Sequence, residues 1–157
     1  MAASSYKGKV AHLIKCFCGC TDMTVDEVQR IYTLTNSVLQ TLLDSAARRL
    51  LQRFLETERA GDKKGAEIYL EIYIKCAEYL KDTCTFTQDE IDELDDLGLP
   101  YHLTQELTRR TLNADRTKIN LCLNNIQNIC SKEIEASSEF RRFRDAILAK
   151  MNRIPKK

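Results

Sequence analysis

Apolar residues recur along this chain with a helical rhythm almost throughout. Val10, Leu13, Ile14 and Phe17 share one face of a first helix expected over about 9–19, with Gly19 as its stop. Thr24-Val-Asp-Glu27 has capping-box spacing, in which a Thr hydroxyl and a Glu carboxylate satisfy each other's free backbone amides. Val28, Ile31, Val38, Leu42, Ala46, Leu50 and Phe54 then continue one apolar stripe to Gly61. Unbroken, that helix would be about 54 Å long at about 1.5 Å per residue. A compact chain of this size has a diameter of only about 40 Å. Thr35-Asn36-Ser37 is the weakest helical stretch, and Ser37 to Gln40 repeats the capping spacing, so a break or kink is expected there.

From Asp62 to Cys84 the pattern predicts the most buried helix. Ile68, Leu70, Ile72, Cys76 and Leu80, with Tyr69, Tyr73 and Tyr79, cover most of its circumference. Thr87-Gln-Asp-Glu90 is a third capping box, opening an acidic helix that turns Ile91, Leu94 and Leu97 inward. Gly98-Leu99-Pro100 closes it with a left-handed cap and a residue that cannot extend a helix. Leu103 to about Ala136 is helical again, interrupted at Asn113-Ala-Asp115, and Leu112, Ile119 and Ile126 recur every seven residues with Leu123 and Cys130 between them as a seam. A last helix carries Phe140, Phe143, Ile147 and Met151 up to Pro155. Strand-type alternation is nearly absent. The pattern predicts an all-α protein: a single-domain antiparallel helical bundle of five to seven helices over 1–157, with 1–8 and the basic 153–157 flexible.

Composition narrows the class. The 157 residues are 43% hydrophobic and 30% charged with only 5 Gly and 2 Pro, which suits a packed helical chain and excludes disorder. A net charge of +1 gives no global field for nucleic acid or membrane. The charge is uneven, however: 82–96 holds seven acids and no base, whereas 139–157 holds seven bases against Glu139 and Asp145. No leader and no membrane span are expected, because no apolar run approaches about 18 residues. The cysteine count of 7 is odd and not densely spaced, which predicts reduced thiols in the cytoplasm or nucleus.

The segment His12-Leu-Ile-Lys-Cys16-Phe-Cys18-Gly-Cys20 is the first candidate for chemistry. On a helix, His12, Cys16 and Cys20 form one stripe. Zinc needs four ligands, or three and water; no CxxC occurs and His102 is the other histidine, so no metal and no cofactor are expected. Palmitoylation of Cys16, Cys18 and Cys20 beside Lys7, Lys9 and Lys15 would make a peripheral membrane protein, with membrane contact only if lipidated. The plainer expectation is thiols packing at a helix end. Cys76 with Cys84, and Cys122 with Cys130, stand eight apart, about 12 Å of helical rise, and read as core thiols.

Catalytic motifs are missing, and the chain is read as no enzyme. Glu67 with Glu71 and Asp92 with Asp95 read as solvated surface, and Gly61-Asp-Lys-Lys-Gly65 as a polar turn. Arg141, Arg142, Arg144 and Arg153 make the best basic surface, suited to phosphate or, better, to the acidic 89–96 helix within the molecule or across a dimer. Ile91, Leu94, Leu97 and Leu99 match leucine-rich nuclear export spacing, which requires Leu94 and Leu97 to be accessible. The expected function is a non-catalytic helical adaptor or regulatory module that binds another protein through a groove or helix face, with self-association as one form. Nucleic-acid binding by the basic C-terminal helix is the alternative, and the lipidated peripheral protein the second.

Overall fold

The computed structural model describes residues 14–15, 22–59, 61, 65–82, 86–113 and 115–152. Among them the chain is all-helical apart from one two-residue ladder. Strand β1 (Ile14–Lys15) pairs antiparallel with β2 (Asp22–Met23), Ile14 opposite Met23. Eight helices follow: α1 (Val25–Leu34), α2 (Val38–Leu43), α3 (Ser45–Glu58), α4 (Ala66–Lys81), α5 (Gln88–Leu97), α6 (Tyr101–Leu112), α7 (Arg116–Ala136) and α8 (Ser138–Asn152). They sort into two compact units, one of Met1–Asp62 with Ser137–Lys157 and the other of Lys63–Ala136.

Unit 1 contains the ladder, α1, α2, α3 and α8. Its core gathers Val28, Ile31, Val38, Leu42, Leu50, Leu51, Leu55 and Ile147 around an aromatic stack. The Phe54 and Phe143 rings lie 5.6 Å apart, and Phe140 and Phe143 6.0 Å apart, so α8 is fastened to α3. The expected break at 35–37 is present. Thr24 and Ser37 cap α1 and α2 by accepting the Glu27 and Gln40 amides.

A second break, at Asp44, corrects the expectation of continuous helix from Ser37 to Gly61. Asp44 is extended (φ −88°, ψ 120°) and its carboxylate accepts the Ala47 amide, so it ends α2 and caps α3. With no Glu or Gln at the third helical position it lacks the capping-box spacing that marks the starts after Thr24, Ser37 and Thr87. This break raises the count above five to seven. The helix predicted over 9–19 is also corrected at Ile14–Lys15, where ladder pairing satisfies backbone groups that a helix would pair internally; β-branched Ile14 is a weaker helix former than Leu.

In unit 2, α7 packs along α4 and α6, and α5 packs on α4 and α6. Leu70, Ile72, Cys76, Leu107, Ile119, Leu123, Ile126, Cys130 and Ile134 are buried between them. Long-range polar bonds lock the α4–α7 pair. Gln127 Nε2 donates to the Tyr73 carbonyl at 3.2 Å. Arg116 donates to the Tyr79 and Asp82 carbonyls, closing the C-terminal end of α4. The Tyr79 hydroxyl, which needed a partner, donates to Glu93 Oε1 at 3.0 Å.

The α5 boundaries follow the sequence. Thr87 and Glu90 form the reciprocal capping box, and Gly98 (φ 110°) is the left-handed cap, with the Leu99 amide bonded back to the Leu94 carbonyl at 3.1 Å. A Cβ on Gly98 would also meet Ile68 Cγ2 at 3.1 Å.

Two readings in this unit are corrected. The seam assignment fails at Leu112, which is 82% exposed, because the helix ends there and the Asn113–Asp115 break resets the heptad phase before Ile119. Helix α4 starts at Ala66, where Gly65 (φ 51°) sets the turn, and ends at Lys81, inside the 62–84 span expected.

Candidate interaction surface

The sequence-predicted site residues fall in different places. Arg153 and the cysteines Cys16, Cys18 and Cys20 lie outside the described residues, as does Cys84. Arg141, Arg142 and Arg144 lie on α8, but the helix does not gather them into one patch. Each residue advances about 100° around the axis, so with Phe140, Phe143 and Ile147 turned inward the three guanidiniums take three directions. Arg142 reaches Glu58 at the end of α3 (3.1 Å) and the Ser138 hydroxyl (3.1 Å). Arg144 Nη2 donates to Asn36 Oδ1 at 2.9 Å while its Cζ sits 4.8 Å from the Tyr32 ring centroid. Arg141 is exposed and free of a described partner.

Several other candidates are corrected. Ile91 and Leu94 are wholly buried and Leu99 is 4% exposed, while Leu97 is half-buried, so the export-like pattern fails its requirement of access at Leu94. Glu67 is 4% exposed rather than solvated. The acids of α5 remain on the surface; Glu93 there pairs with Lys75 at 3.4 Å. Cys76, Cys122 and Cys130 are buried free thiols, and burial is the main cause that pushes each up, Cys122 to about 11 and Cys130 to about 12. Nucleophilic or metal chemistry needs thiolates, which these positions disfavour. Among the described residues no cluster of three or more His, Cys, Asp or Glu has metal-binding geometry, and no helix is long and apolar enough to cross a membrane.

What the sequence did not single out is α2. This six-residue helix turns Val38, Thr41 and Leu42 inward and leaves Leu39 and Leu43 50% and 68% exposed. At i and i+4 these two leucines form one contiguous apolar knob. The helix is clamped at both ends. At its start, Arg144 holds Asn36, and the buried Thr41 hydroxyl reaches the Leu34 and Ser37 carbonyls at 3.0 and 2.9 Å. At its end, Arg30 Nη1 bonds Asp44 Oδ1 at 2.8 Å, Asp44 Oδ2 accepts the Ala47 amide at 2.8 Å, and Arg48 Nη1 caps the Leu42 carbonyl at 2.9 Å. The Arg30 guanidinium and the Ala47 amide hold the Asp44 carboxyl below its ordinary 3.8.

One signal in the sequence marks the knob. Leu39 and Leu43 fall off the Val38–Leu42–Ala46–Leu50 stripe, so a continuous core helix has no place for them.

Charge divides along the unit boundary, Lys and Arg outnumbering Asp and Glu by fifteen to nine in unit 1 and the balance reversing to nine against fourteen in unit 2. Comparison with protein-family models, with curated proteins and with solved structures gives no match.

Proposed function

We propose that this chain is a non-catalytic interaction module, an adaptor or regulatory protein, that binds another protein through the α2 face of unit 1. One observation carries the reading: a rigidly clamped short helix leaves Leu39 and Leu43 in solvent while the other large apolar residues of α1 and α3 are buried or half-buried. Covering a leucine fully is worth about 1.5–3 kcal/mol, so covering these two half-exposed side chains contributes on the order of 2 kcal/mol to an interface. Clamping removes the ordering cost that a mobile segment would bring. The free thiols Cys76, Cys122 and Cys130 suit a reducing compartment, cytoplasm or nucleus.

The base excess of unit 1 favours a second reading, nucleic-acid binding through the α8 arginines. Nuclease-treated affinity purification from the native source, run side by side with variants, separates the two. A protein partner should survive nuclease and be lost with Leu39→Asp/Leu43→Asp. Retention that disappears with nuclease, or with Arg141→Glu/Arg142→Glu but not with the leucine changes, refutes the module reading and supports the second.

A further inference from the structure

The knob has a cationic frame. Arg144 stands at the start of α2, and Arg30 and Arg48 at its end, each held by a hydrogen bond to the protein. The acid at this frame, Asp44, is already bound to Arg30 and to the α3 amide. A guanidinium has five N–H donors, so each of these arginines keeps donors for an incoming acceptor, and pinned guanidiniums suit bidentate carboxylate recognition. Arg144 is anchored at Asn36, Arg48 at Leu42 and Arg30 at Asp44, so the cationic ends stand six to eight residues apart, about 10 Å of helical rise.

From this geometry we infer that the occupant of the α2 face is an acidic amphipathic helix of the partner protein, with carboxylates at i and i+7 and apolar side chains at i+3 and i+4. Those four positions fall on one stripe of an α-helix, and seven residues again span about 10 Å, so acids meet the arginine ends while the apolar pair covers Leu39 and Leu43. The inference rests on the module reading above and gives its partner a chemistry.

Two other occupants fit less well. An anionic membrane surface needs a larger apolar face than two leucines, and mobile lysines serve it as well as pinned arginines. The acidic α5 of a second copy offers carboxylates but no apolar pair, since its Ile91 and Leu94 are wholly buried.

The test uses the full chain and a panel of labelled helical peptides carrying Glu at i and i+7 and Leu at i+3 and i+4, read by fluorescence anisotropy. Expected is binding that weakens about tenfold with Leu39→Asp or Leu43→Asp, about tenfold when both peptide Glu become Gln, and vanishes when they become Lys. Leu39 and Leu43 are already 50% and 68% exposed, so an unchanged unfolding midpoint shows that the variants fold. Equal affinity of the Gln peptides overturns the carboxylate assignment. So does sedimentation with phosphatidylserine vesicles that the leucine changes abolish, which would make the occupant a membrane. Failure of the whole panel, while a native partner is still lost with Leu43→Asp, overturns the acidic helix and leaves the module reading standing. Failure of both assays overturns the two together.

Discussion

Asp44 is the residue on which the shape of the candidate surface turns, and its removal has a calculable cost. Asp44→Ala takes away the N-cap of α3, whose carboxylate–amide distance is 2.8 Å, and such caps are worth about 1 kcal/mol. It also removes the 2.8 Å pair with Arg30. That pair is screened, the Arg30 side chain being 47% and Asp44 27% exposed, which places it at about 0.5 kcal/mol. The expected loss is about 1.5 kcal/mol, and with a urea m-value of about 1–3 kcal/mol/M the midpoint falls by about 0.5–1.5 M. Asp44→Asn keeps a capping oxygen and loses the charge, so it should lose only about 0.5 kcal/mol. The pH dependence has a fixed sign. The folded pKa lies below 3.8, so the charge stabilises above that value and its contribution is lost as pH falls through the folded pKa. The gap between wild type and Asp44→Asn should therefore be present at neutral pH and close in acid. Urea denaturation followed by far-ultraviolet circular dichroism across that range measures all three proteins. An alanine variant as stable as wild type, or an asparagine variant as damaged as alanine, would refute the reasoning.

Two further outcomes follow from placement alone. Ile126→Ala, at a wholly buried site, should cost about 2–5 kcal/mol, whereas Leu112→Ala, at an 82% exposed one, should stay within about 0.5 kcal/mol; equal costs in urea denaturation would show that Leu112 belongs to the seam after all. Cys122 and Cys130, pushed up to about 11 and about 12 mainly by burial, should resist iodoacetamide at neutral pH in the native protein and react once it is unfolded, with Cys76 behaving alike. Site-resolved mass spectrometry reads the labelling, and native modification at the unfolded rate would contradict the burial.

Most helix boundaries in this chain were legible because they are written in short-range chemistry. Thr87 with Glu90, Gly98 before Leu99, Ser37 with Gln40 and the Asn113–Asp115 interruption each act within a few residues, where sequence spacing and structural spacing are the same thing. Asp44 escaped because an N-cap without a reciprocating Glu or Gln looks like any surface acid inside an apolar stripe; its second partner, Arg30, lies 14 residues back. Leu112 misled for the opposite reason. A heptad drawn through a break counts residues that the chain no longer winds about one axis. The ladder at Ile14–Lys15 depends on pairing with Asp22–Met23, and pairing between segments is not expressed in the periodicity of either.

The candidate surface was less legible, and the reason is geometric. A row of arginines in the sequence suggested a patch, yet helical winding sends Arg141 outward, Arg142 to Glu58 and Arg144 to Asn36. Concentration of like charge along a chain is therefore dispersed by a helix, while concentration in space is made by residues far apart in sequence. Arg30, Arg48 and Arg144 meet around α2 only because breaks on either side of that helix reorient it and because α8 packs on α1. Leu39 and Leu43, off the apolar stripe, would face outward on a continuous helix as well; what the breaks add is a short helix whose two ends are held by Arg144, Arg30 and Arg48. The interruptions and the arginines thus have one consequence between them: a two-turn helix fixed at both ends, which holds its solvent-facing leucines in place.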